Sequence, residues 1–212
     1  MKLYALPPSP NTFKVTAVAY HLDLPLEIIP VDMPNGQHQS PDYLKMNPNG
    51  MMPTLMDGDF VLWESNAILM YLARKKPESG LYPADPKMQA QVDQWLSWSS
   101  NHWGQALRPY LYERMIKPMF RGEQPDPEEL AKADEPFHRF ARVLEDHLKG
   151  RQYLVGEAPT IADFAVACTL VYSQPAGFPL GDYPNIQGLA MRITSLPAFQ
   201  KAMPPMAAGA HA

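Results

Sequence analysis

The spacing of apolar residues divides the chain into a first third of short alternating elements and a longer helical remainder. In the first third, short apolar runs that predict strands alternate with amphipathic segments that predict helices. The predicted elements are a strand at 2–6, a helix from about Asn11, a strand at 26–31, a hairpin at 53–62 around Asp57-Gly58-Asp59, and a helix at 64–75. The order βαβ, a connection, then ββα predicts a small α/β domain.

Beyond residue 77, apolar residues recur only at helical spacing. The predicted helices are a long one that contains Trp95 and Trp98, kinks at Pro109 and stops near Pro118, one at 137–148, one that opens at Thr160 with a Thr-x-x-Asp capping box, and two at 186–193 and 197–203. We therefore predict an α/β domain at 1–77, a linker at 78–86, and an all-helical domain at 87–212 with a disordered tail at 204–212. This organisation predicts a ligand cleft where the two domains meet.

Proline supports these boundaries. The chain has 24 prolines in 212 residues, about twice the usual frequency of about 5%. Apart from Pro109, where a kink is predicted, and Pro197, at a predicted helix start, prolines are absent from the windows predicted to be helical. They are dense in the α/β domain and the linker, as expected from their cost inside helices. Because glycines number only 12 and 46% of the residues are hydrophobic, the composition indicates a globular protein rather than a disordered one.

Charge and cysteine content exclude several function classes. The net charge is −4 and no basic run stands out, which argues against nucleic-acid binding. One cysteine excludes an internal disulfide framework and a CxxC motif, and the six histidines form no metal-ligand spacing. No apolar stretch approaches the roughly 18 residues of a membrane span, and no signal-peptide core is evident. We expect a cytoplasmic protein without a metal, a membrane partner or a nucleic-acid partner.

The segment Asn47–Leu55 offers a first candidate site. Pro53 stands at the start of a predicted strand, where it cannot donate to the ladder. One interpretation is a cis Met52–Pro53 bond that turns the backbone N–H and C=O of Met52 outward, to pair with a peptide ligand as a strand would. The alternative is an ordinary trans proline at a strand edge, which is favoured by frequency alone because only about 5–6% of such bonds are cis.

Two polar segments stand where helices begin. Glu64-Ser65 follows the hairpin, and a free helix N-terminus with a hydroxyl binds a carboxylate while Glu64 holds an ammonium group. Ser9 and Asn11 follow the first strand, where a hydroxyl hydrogen bond to a thiolate favours its charged form. For both segments the alternative is ordinary capping and favourable first-turn charge.

These segments together resemble the glutathione S-transferase family. NPNGMMPTL resembles the family's N-P-x-G-x-x-P-x-L segment with its cis-proline, and WESNAILMYLA resembles its E-S-x-A-I-x-x-Y-L helix start. GQHQSPDYLKMNP, TIADFAVA and QWLSWSSNHWGQALRPYLYERMIKP also resemble family segments. The resemblance spans both domains in order and implies a thioredoxin-like domain followed by an all-α domain.

The resemblance implies a glutathione site in the first domain. Met52, preceding the cis Pro53, would pair with the cysteinyl backbone of glutathione. Glu64 and Ser65 would hold its γ-glutamyl end. The remaining residues match positions that hold the glycyl carboxylate, although a solvated loop is the alternative for them: His38 and Gln39.

Catalysis is assigned by the same resemblance. Ser9 and Asn11 match an S-x-N-x-x-K-V pattern of bacterial members, in which a hydroxyl or amide sits at the glutathione thiol; Thr12 is a third candidate for the sulfur contact. No cysteine stands there, so we predict no mixed disulfide with the protein, and we interpret Cys168 as a core residue. The residues predicted to line an electrophile pocket are Pro10, His102, Trp103, Arg108 and Tyr110.

The sequence therefore predicts a glutathione transferase that uses glutathione as co-substrate, attacks a small hydrophobic electrophile, and forms a homodimer by analogy with the family. One alternative is glutathione-dependent reduction of disulfides or peroxides on the same fold. A second is a non-enzymatic interaction module, although such a module has no need of Pro53, Glu64 and Ser65.

Overall fold

In the computed structural model, which describes residues 1–7 and 9–203, the chain forms two compact units. The first contains residues 1–79 and the described residues from 195 onward, and the second contains residues 80–194. The tail predicted at 204–212 lies outside the described residues. None of the described helices is long and apolar enough to cross a membrane.

A four-stranded sheet with the order β2-β1-β3-β4 lies in the first unit. Its strands are β1 Lys2–Ala5, β2 Glu27–Pro30, β3 Thr54–Asp57 and β4 Phe60–Trp63. β1 is parallel to β2 and antiparallel to β3, which is antiparallel to β4. Tyr4 pairs with Thr54, and Thr54 pairs with Trp63. The segments that follow β1, precede β3 and follow β4 therefore reach the same edge of the sheet.

The hairpin between β3 and β4 agrees with its prediction. Asp57 pairs with Phe60, so Gly58 and Asp59 form a two-residue turn. Gly58 has φ +61°, a conformation that glycine adopts without steric cost.

Three helices of the first unit are α1 Pro10–His21, α2 Pro41–Met46 and α3 Ser65–Arg74. The sequence predicted α1 and α3 but treated the region of α2 as a connection. Six residues are too few to show a helical period, and the local signal is the start: Pro41 follows Ser40, whose hydroxyl accepts a hydrogen bond from the amide of Tyr43 at 3.3 Å.

The second unit is helical throughout its regular structure. Its helices are α4 Pro86–Trp98, α5 Gly104–Leu111, α6 Lys117–Arg121, α7 Pro127–His147, α8 Ile161–Leu170, α9 Ser173–Ala176 and α10 Pro184–Thr194. Two single π-helical stretches, at Ser99–Trp103 and Tyr112–Ile116, join α4, α5 and α6 into one helical path. That path continues past the stop predicted near Pro118 and ends before Gly122, which is left-handed at φ +66°.

α7 begins ten residues earlier than predicted. The sequence predicts a helix start at Phe137, directly after Pro136. In the structure Pro136 lies inside a 21-residue helix that opens with Pro127 at its first position. An interior proline removes one intrahelical hydrogen bond, to the carbonyl of Lys132. Lys132 is exposed, so water can hydrogen-bond to that carbonyl.

The last described helix, α11 Pro197–Ala202, belongs to the first unit, whereas the sequence placed it in the helical domain. It packs on α1, where the Phe199 ring meets the Phe13 ring edge-on with centroids 4.5 Å apart. Both phenylalanines are buried in full or nearly so. Proline spacing located this helix but contains no information about which apolar partner its phenylalanine would find.

Carboxylates satisfy the N-termini of helices in the second unit. Asp85 accepts a hydrogen bond from the amide of Met88 at 2.9 Å at the start of α4, and Asp126 accepts one from Glu128 at 2.8 Å at the start of α7. Glu145 of α7 accepts two backbone amides at the start of α10, each at 3.0 Å. These contacts satisfy amides that an isolated helix would leave without a partner.

The capping box at α8 is the most buried of these arrangements. The Asp163 carboxylate accepts hydrogen bonds from the amide of Thr160 at 2.7 Å, from the Thr160 hydroxyl at 2.9 Å, and from the amide of Leu154 at 2.8 Å. Asp163 has no exposed surface. Burial raises the pKa of Asp163 to about 6, and the hydrogen bonds from Leu154 and Thr160 oppose that rise. The predicted Thr-x-x-Asp box is confirmed.

Candidate functional site

The first two turns of α1 and the first turn of α3 are cross-linked by side chains. The Ser65 hydroxyl donates to the Asn11 side-chain oxygen at 3.2 Å, and the Lys14 Nζ donates to the Asn66 side-chain oxygen at 2.6 Å. Ser65 is the first residue of α3 and does not cap it. The structure therefore brings Asn11 and Ser65, two of the predicted site residues, into direct contact.

Ser9 stands at the N-cap position of α1 with an extended backbone, but its side chain makes no capping hydrogen bond. The capping alternative for this serine is therefore not observed. Ser9 is half-buried, and its hydroxyl has no hydrogen-bond partner among residues 1–7 and 9–203. A serine hydroxyl at a helix N-terminus that does not cap the helix is available to a ligand.

Thr12 is placed differently from Ser9 and Asn11. It is 3% exposed, and its hydroxyl is buried without a partner in the described part of the chain. Asn11 is exposed and Ser9 is half-buried. Of the three candidates for a contact with the glutathione sulfur, Thr12 thus presents almost no surface to a ligand.

The Met52–Pro53 peptide bond is cis, which confirms the interpretation that the family resemblance favoured. Met52 lies outside the ladder, two residues before the first residue of β3. Within the described ranges neither its amide nor its carbonyl has a hydrogen-bond partner. This edge of the sheet consequently offers one free donor and one free acceptor for an extended peptide.

A buried polar network, which the sequence does not predict, lies behind this segment. The side-chain amide of Asn47 donates to the carbonyl of Met51 at 2.8 Å and to the Thr54 hydroxyl at 3.1 Å. The Tyr43 hydroxyl donates to the same carbonyl at 2.7 Å. Asn47 is the first residue of the NPNGMMPTL motif, but the motif alone does not show that the Asn47 side chain points inward and holds the loop.

Glu64 connects β4 to α3 in an unusual backbone conformation. Its φ is +69° and its ψ is 110°, a region that residues with a side chain seldom occupy. Such conformations cluster at ligand sites, where the surrounding structure holds them. The Glu64 side chain is exposed and does not cap α3. The start of α3, like that of α1, is thus not closed by the N-cap side chain.

His38 and Gln39 lie in a single turn of 3-10 helix at Gln37–Gln39. Nδ1 of His38 is buried and, among the described residues, has no hydrogen-bond partner. Gln39 is exposed, and its side-chain amide lies over Gly50, where a Cβ would overlap with it. Gly50 has φ +60°, so both its conformation and its neighbour favour glycine. The contact brings Gln39 close to the segment that carries Met52.

The predicted electrophile-contacting residues differ widely in exposure. Pro10, half-buried, begins α1. Trp103 is 1% exposed and its ring stacks on Trp98. Tyr110 is 4% exposed, and its hydroxyl lacks a partner among the described residues. Tyr110 lines a cavity of about 330 Å³ within the second unit.

The other two predicted residues of the second unit, His102 and Arg108, are exposed. The His102 ring stacks on Phe140 with centroids 5.0 Å apart. Cys168 is 1% exposed in α8, which confirms its interpretation as a core residue.

The geometry of the first unit suits a peptide with an acidic end. Segments 6–7, 52–53 and 64–65 meet at one sheet edge, because β1, β3 and β4 pair in register there. That edge offers the free backbone pair of Met52 and two helix N-termini whose N-cap side chains do not close them. Helix N-termini favour carboxylates and thiolates through their free amides and dipole.

Comparison with known proteins agrees with this geometry. Residues 1–74 match the model of the glutathione S-transferase N-terminal domain, and residues 108–197 match that of the C-terminal domain. A probable glutathione S-transferase GSTF2 from Oryza sativa subsp. japonica is 36% identical over 203 residues, covering 95% of this chain and 94% of the relative. Glutathione S-transferase 3 from Zea mays is 35% identical, covering 95% and 92%.

Solved structures resemble the whole chain as well. Glutathione S-transferase-I bound with the ligand lactoylglutathione superposes with a TM-score of 0.87 at 29% identity, covering 95% of this chain and 97% of that one. Glutathione transferase F2 from Populus trichocarpa superposes with a TM-score of 0.88 at 27% identity, covering 95% and 96%. The predicted thioredoxin-like plus all-helical fold is confirmed, and this chain belongs to the glutathione S-transferase family.

Proposed function

We propose that this chain transfers glutathione to a small hydrophobic electrophile, and that the Ser9 hydroxyl donates a hydrogen bond to the sulfur of bound glutathione. The observation that carries the assignment is that Ser9, although it stands at the N-cap of α1, makes no capping hydrogen bond. A hydroxyl that is not used by its own helix is free to stabilise a thiolate. Asn11, held by Ser65 at 3.2 Å, helps to orient the sulfur.

The same sheet edge supports a binding mode for the tripeptide. In this mode the backbone of Met52 pairs with the cysteinyl backbone, since its amide and carbonyl have no partner in the described structure. Glu64 holds the ammonium group of the γ-glutamyl end. The first amides of α3 hold its carboxylate together with the Ser65 hydroxyl, which turns from Asn11 to donate to the ligand. His38 and Gln39 hold the glycyl carboxylate from the turn at 37–39.

The chemistry requires no covalent bond to the protein. The bound thiol loses its proton to solvent, and the thiolate sulfur forms a bond to the electrophilic carbon while the leaving group departs with its electron pair. Ser9 lowers the barrier by favouring the charged sulfur, and the start of α1 adds its dipole. A preorganised donor of this kind contributes about 10²–10³-fold in kcat where it has been removed from other enzymes.

Substitution of Ser9 tests this role. We expect Ser9→Ala to lower kcat with a chlorodinitrobenzene by about 100-fold while the Kd of glutathione stays within about threefold. Thr12→Val is the matched control: its hydroxyl is buried without a described partner, so turnover is expected to stay within about threefold of the natural protein. Unchanged turnover in Ser9→Ala would remove Ser9 from catalysis.

The same assays separate the alternatives. Turnover with a model disulfide or a peroxide that exceeds turnover with the aryl halide would favour a glutathione-dependent reductase. Failure of the natural protein to bind immobilised glutathione would favour an interaction module. The homodimer, the cytoplasmic location and the electrophile contacts of Pro10, His102, Trp103, Arg108 and Tyr110 stay predictions, and sedimentation analysis tests the first of them.

A further inference from the structure

Lys14 is a buried lysine that the proposed mechanism does not use. It lies in the second turn of α1 and is 4% exposed. Lysine is almost never fully buried unless it is paired, because its charged group loses hydration. Its Nζ donates to the Asn66 side-chain oxygen at 2.6 Å. A side chain that is costly to bury and that bonds across to another helix deserves a specific explanation.

The contact runs beside the site. Asn66 directly follows Ser65, and Lys14 lies three residues after Asn11, hence on the same face of α1. The Lys14–Asn66 bond and the Ser65–Asn11 bond of 3.2 Å therefore form two neighbouring links between the first two turns of α1 and the first turn of α3. We call these two links the α1–α3 clamp.

The clamp joins the two elements that hold opposite parts of the ligand. α1 begins at the thiol-contacting end, with Ser9 at its N-cap, and α3 begins at the γ-glutamyl end, with Glu64 and Ser65. Glu64 enters α3 with φ +69°, so the first turn of α3 is not placed by ordinary backbone preference alone. Side-chain links from α1 supply the missing restraint.

We propose that Lys14 is a positioning residue, which through Asn66 sets the start of α3 against the start of α1 so that bound glutathione presents its sulfur to Ser9. This inference rests on the proposed function. Lys14 touches neither the substrate nor the sulfur in this account. Its loss misaligns the two ends of the ligand, which weakens both glutathione binding and ionisation of the bound thiol.

The test compares four variants of the full chain. Lys14→Met keeps the length of the side chain and removes the donor, whereas Lys14→Arg keeps a donor. Asn66→Asp keeps an acceptor for Lys14. Lys75→Met is the matched control, because the Lys75 ammonium bonds Asp57 at 2.5 Å, away from the helix starts, and is one-third exposed.

We expect Lys14→Met to raise the KM for glutathione about tenfold and to raise the pKa of the bound glutathione thiol, read from thiolate absorbance, by about one unit. The KM for the electrophile should stay within twofold. Lys14→Arg and Asn66→Asp should each keep both values within about threefold of the natural protein. Lys75→Met should change neither value. Thermal unfolding of each variant confirms that the assayed protein is folded.

The outcomes separate this inference from the proposed function. If Lys14→Met is folded and leaves both values unchanged while Ser9→Ala loses turnover, the clamp has no positioning role and the function stands. If Lys14→Arg is folded but changes both values as much as Lys14→Met does, loss of the donor to Asn66 does not explain the change, and the inference is also overturned. If Ser9→Ala keeps full turnover, the proposed function itself fails.

Discussion

Four helix starts of the second unit and two of the first are handled in opposite ways. In the second unit, a carboxylate accepts a hydrogen bond from a backbone amide at the start of four helices: Asp85 at α4, Asp126 at α7, Asp163 at α8 and Glu145 at α10. In the first unit, α1 and α3 begin without a capping side-chain hydrogen bond, at Ser9 and Glu64. The contrast supports the proposal that the open starts of α1 and α3 receive an anionic ligand, whereas the satisfied starts stabilise the fold.

The largest effect is expected when the open start of α1 is given a capping carboxylate like those of the second unit. Ser9→Asp introduces a carboxylate at an N-cap position whose backbone is already extended, at φ −77° and ψ 133°. We expect the free energy of unfolding to rise or to stay equal, within about 1 kcal/mol, because the carboxylate favours the helix dipole. We also expect more than about 100-fold loss of turnover, because the negative charge opposes a thiolate.

Denaturant unfolding and steady-state kinetics on the same Ser9→Asp preparation check both halves of this prediction. The comparison with Ser9→Ala shows how much of the loss comes from the added charge. A variant that keeps its turnover would show that the open start of α1 is not where the thiol is activated.

Removing a cap in the second unit should affect stability instead of binding. Asp163→Asn replaces one carboxylate oxygen by an amide nitrogen, which cannot accept from Thr160 or Leu154. Depending on which oxygen is replaced, that nitrogen faces the Leu154 amide or the Thr160 amide and hydroxyl, so at least one buried donor loses its acceptor. We expect the free energy of unfolding at pH 7 to fall by about 2–3 kcal/mol. The KM for glutathione should stay within about twofold, and a larger change would contradict the division between the units.

The effect of Asp163→Asn on the free energy of unfolding should depend on pH. Burial raises the pKa of Asp163 to about 6 from a usual value of 3.8, so the folded protein binds this proton more tightly than the unfolded chain. The stability that this proton contributes is present below about pH 4 and is lost as pH rises through 6. We therefore expect the destabilisation by Asp163→Asn, measured by denaturant unfolding, to shrink between pH 4 and 7; a gap that widens would contradict the sign.

The smallest expected effect is on glutathione binding by Ser65 in the first unit. Ser65→Ala removes the hydroxyl that bonds Asn11 at 3.2 Å and that we assign to the γ-glutamyl carboxylate. We expect the KM for glutathione to rise about tenfold, which is the effect of losing about 1.4 kcal/mol, one charge-assisted hydrogen bond. The free energy of unfolding should change by less than about 1 kcal/mol. A large loss of stability with an unchanged KM would reassign Ser65 to structure.

Sequence patterns predicted most of the first unit because its signals are local. The Asp57-Gly58-Asp59 turn, the strand at 2–6 and the helix start at Ser65 each follow from residues within one turn of the chain. The cis Met52–Pro53 bond required the family resemblance, since proline alone favours trans. α2 escaped detection because six residues do not establish a period.

The missed features depend on side-chain orientations and tertiary contacts. The Asn47 side chain holds the Met51 carbonyl, and Lys14 reaches Asn66 across 52 positions; neither orientation is encoded in spacing. The predicted start of α7 was wrong because proline inside a helix is costly but not forbidden, and Pro136 lies within the helix. α11 was assigned to the helical domain, although Phe199 finds its partner, Phe13, in the first unit.

The central claim is that the open start of α1, with Ser9 at its N-cap, ionises the thiol of bound glutathione. The most direct measurement is a pH titration of thiolate absorbance for glutathione bound to the natural protein and to Ser9→Ala. We predict an apparent thiol pKa below the usual value of about 8.5 in the natural complex, and a return by at least about one unit towards that value in Ser9→Ala. Equal values for the two complexes would contradict the account.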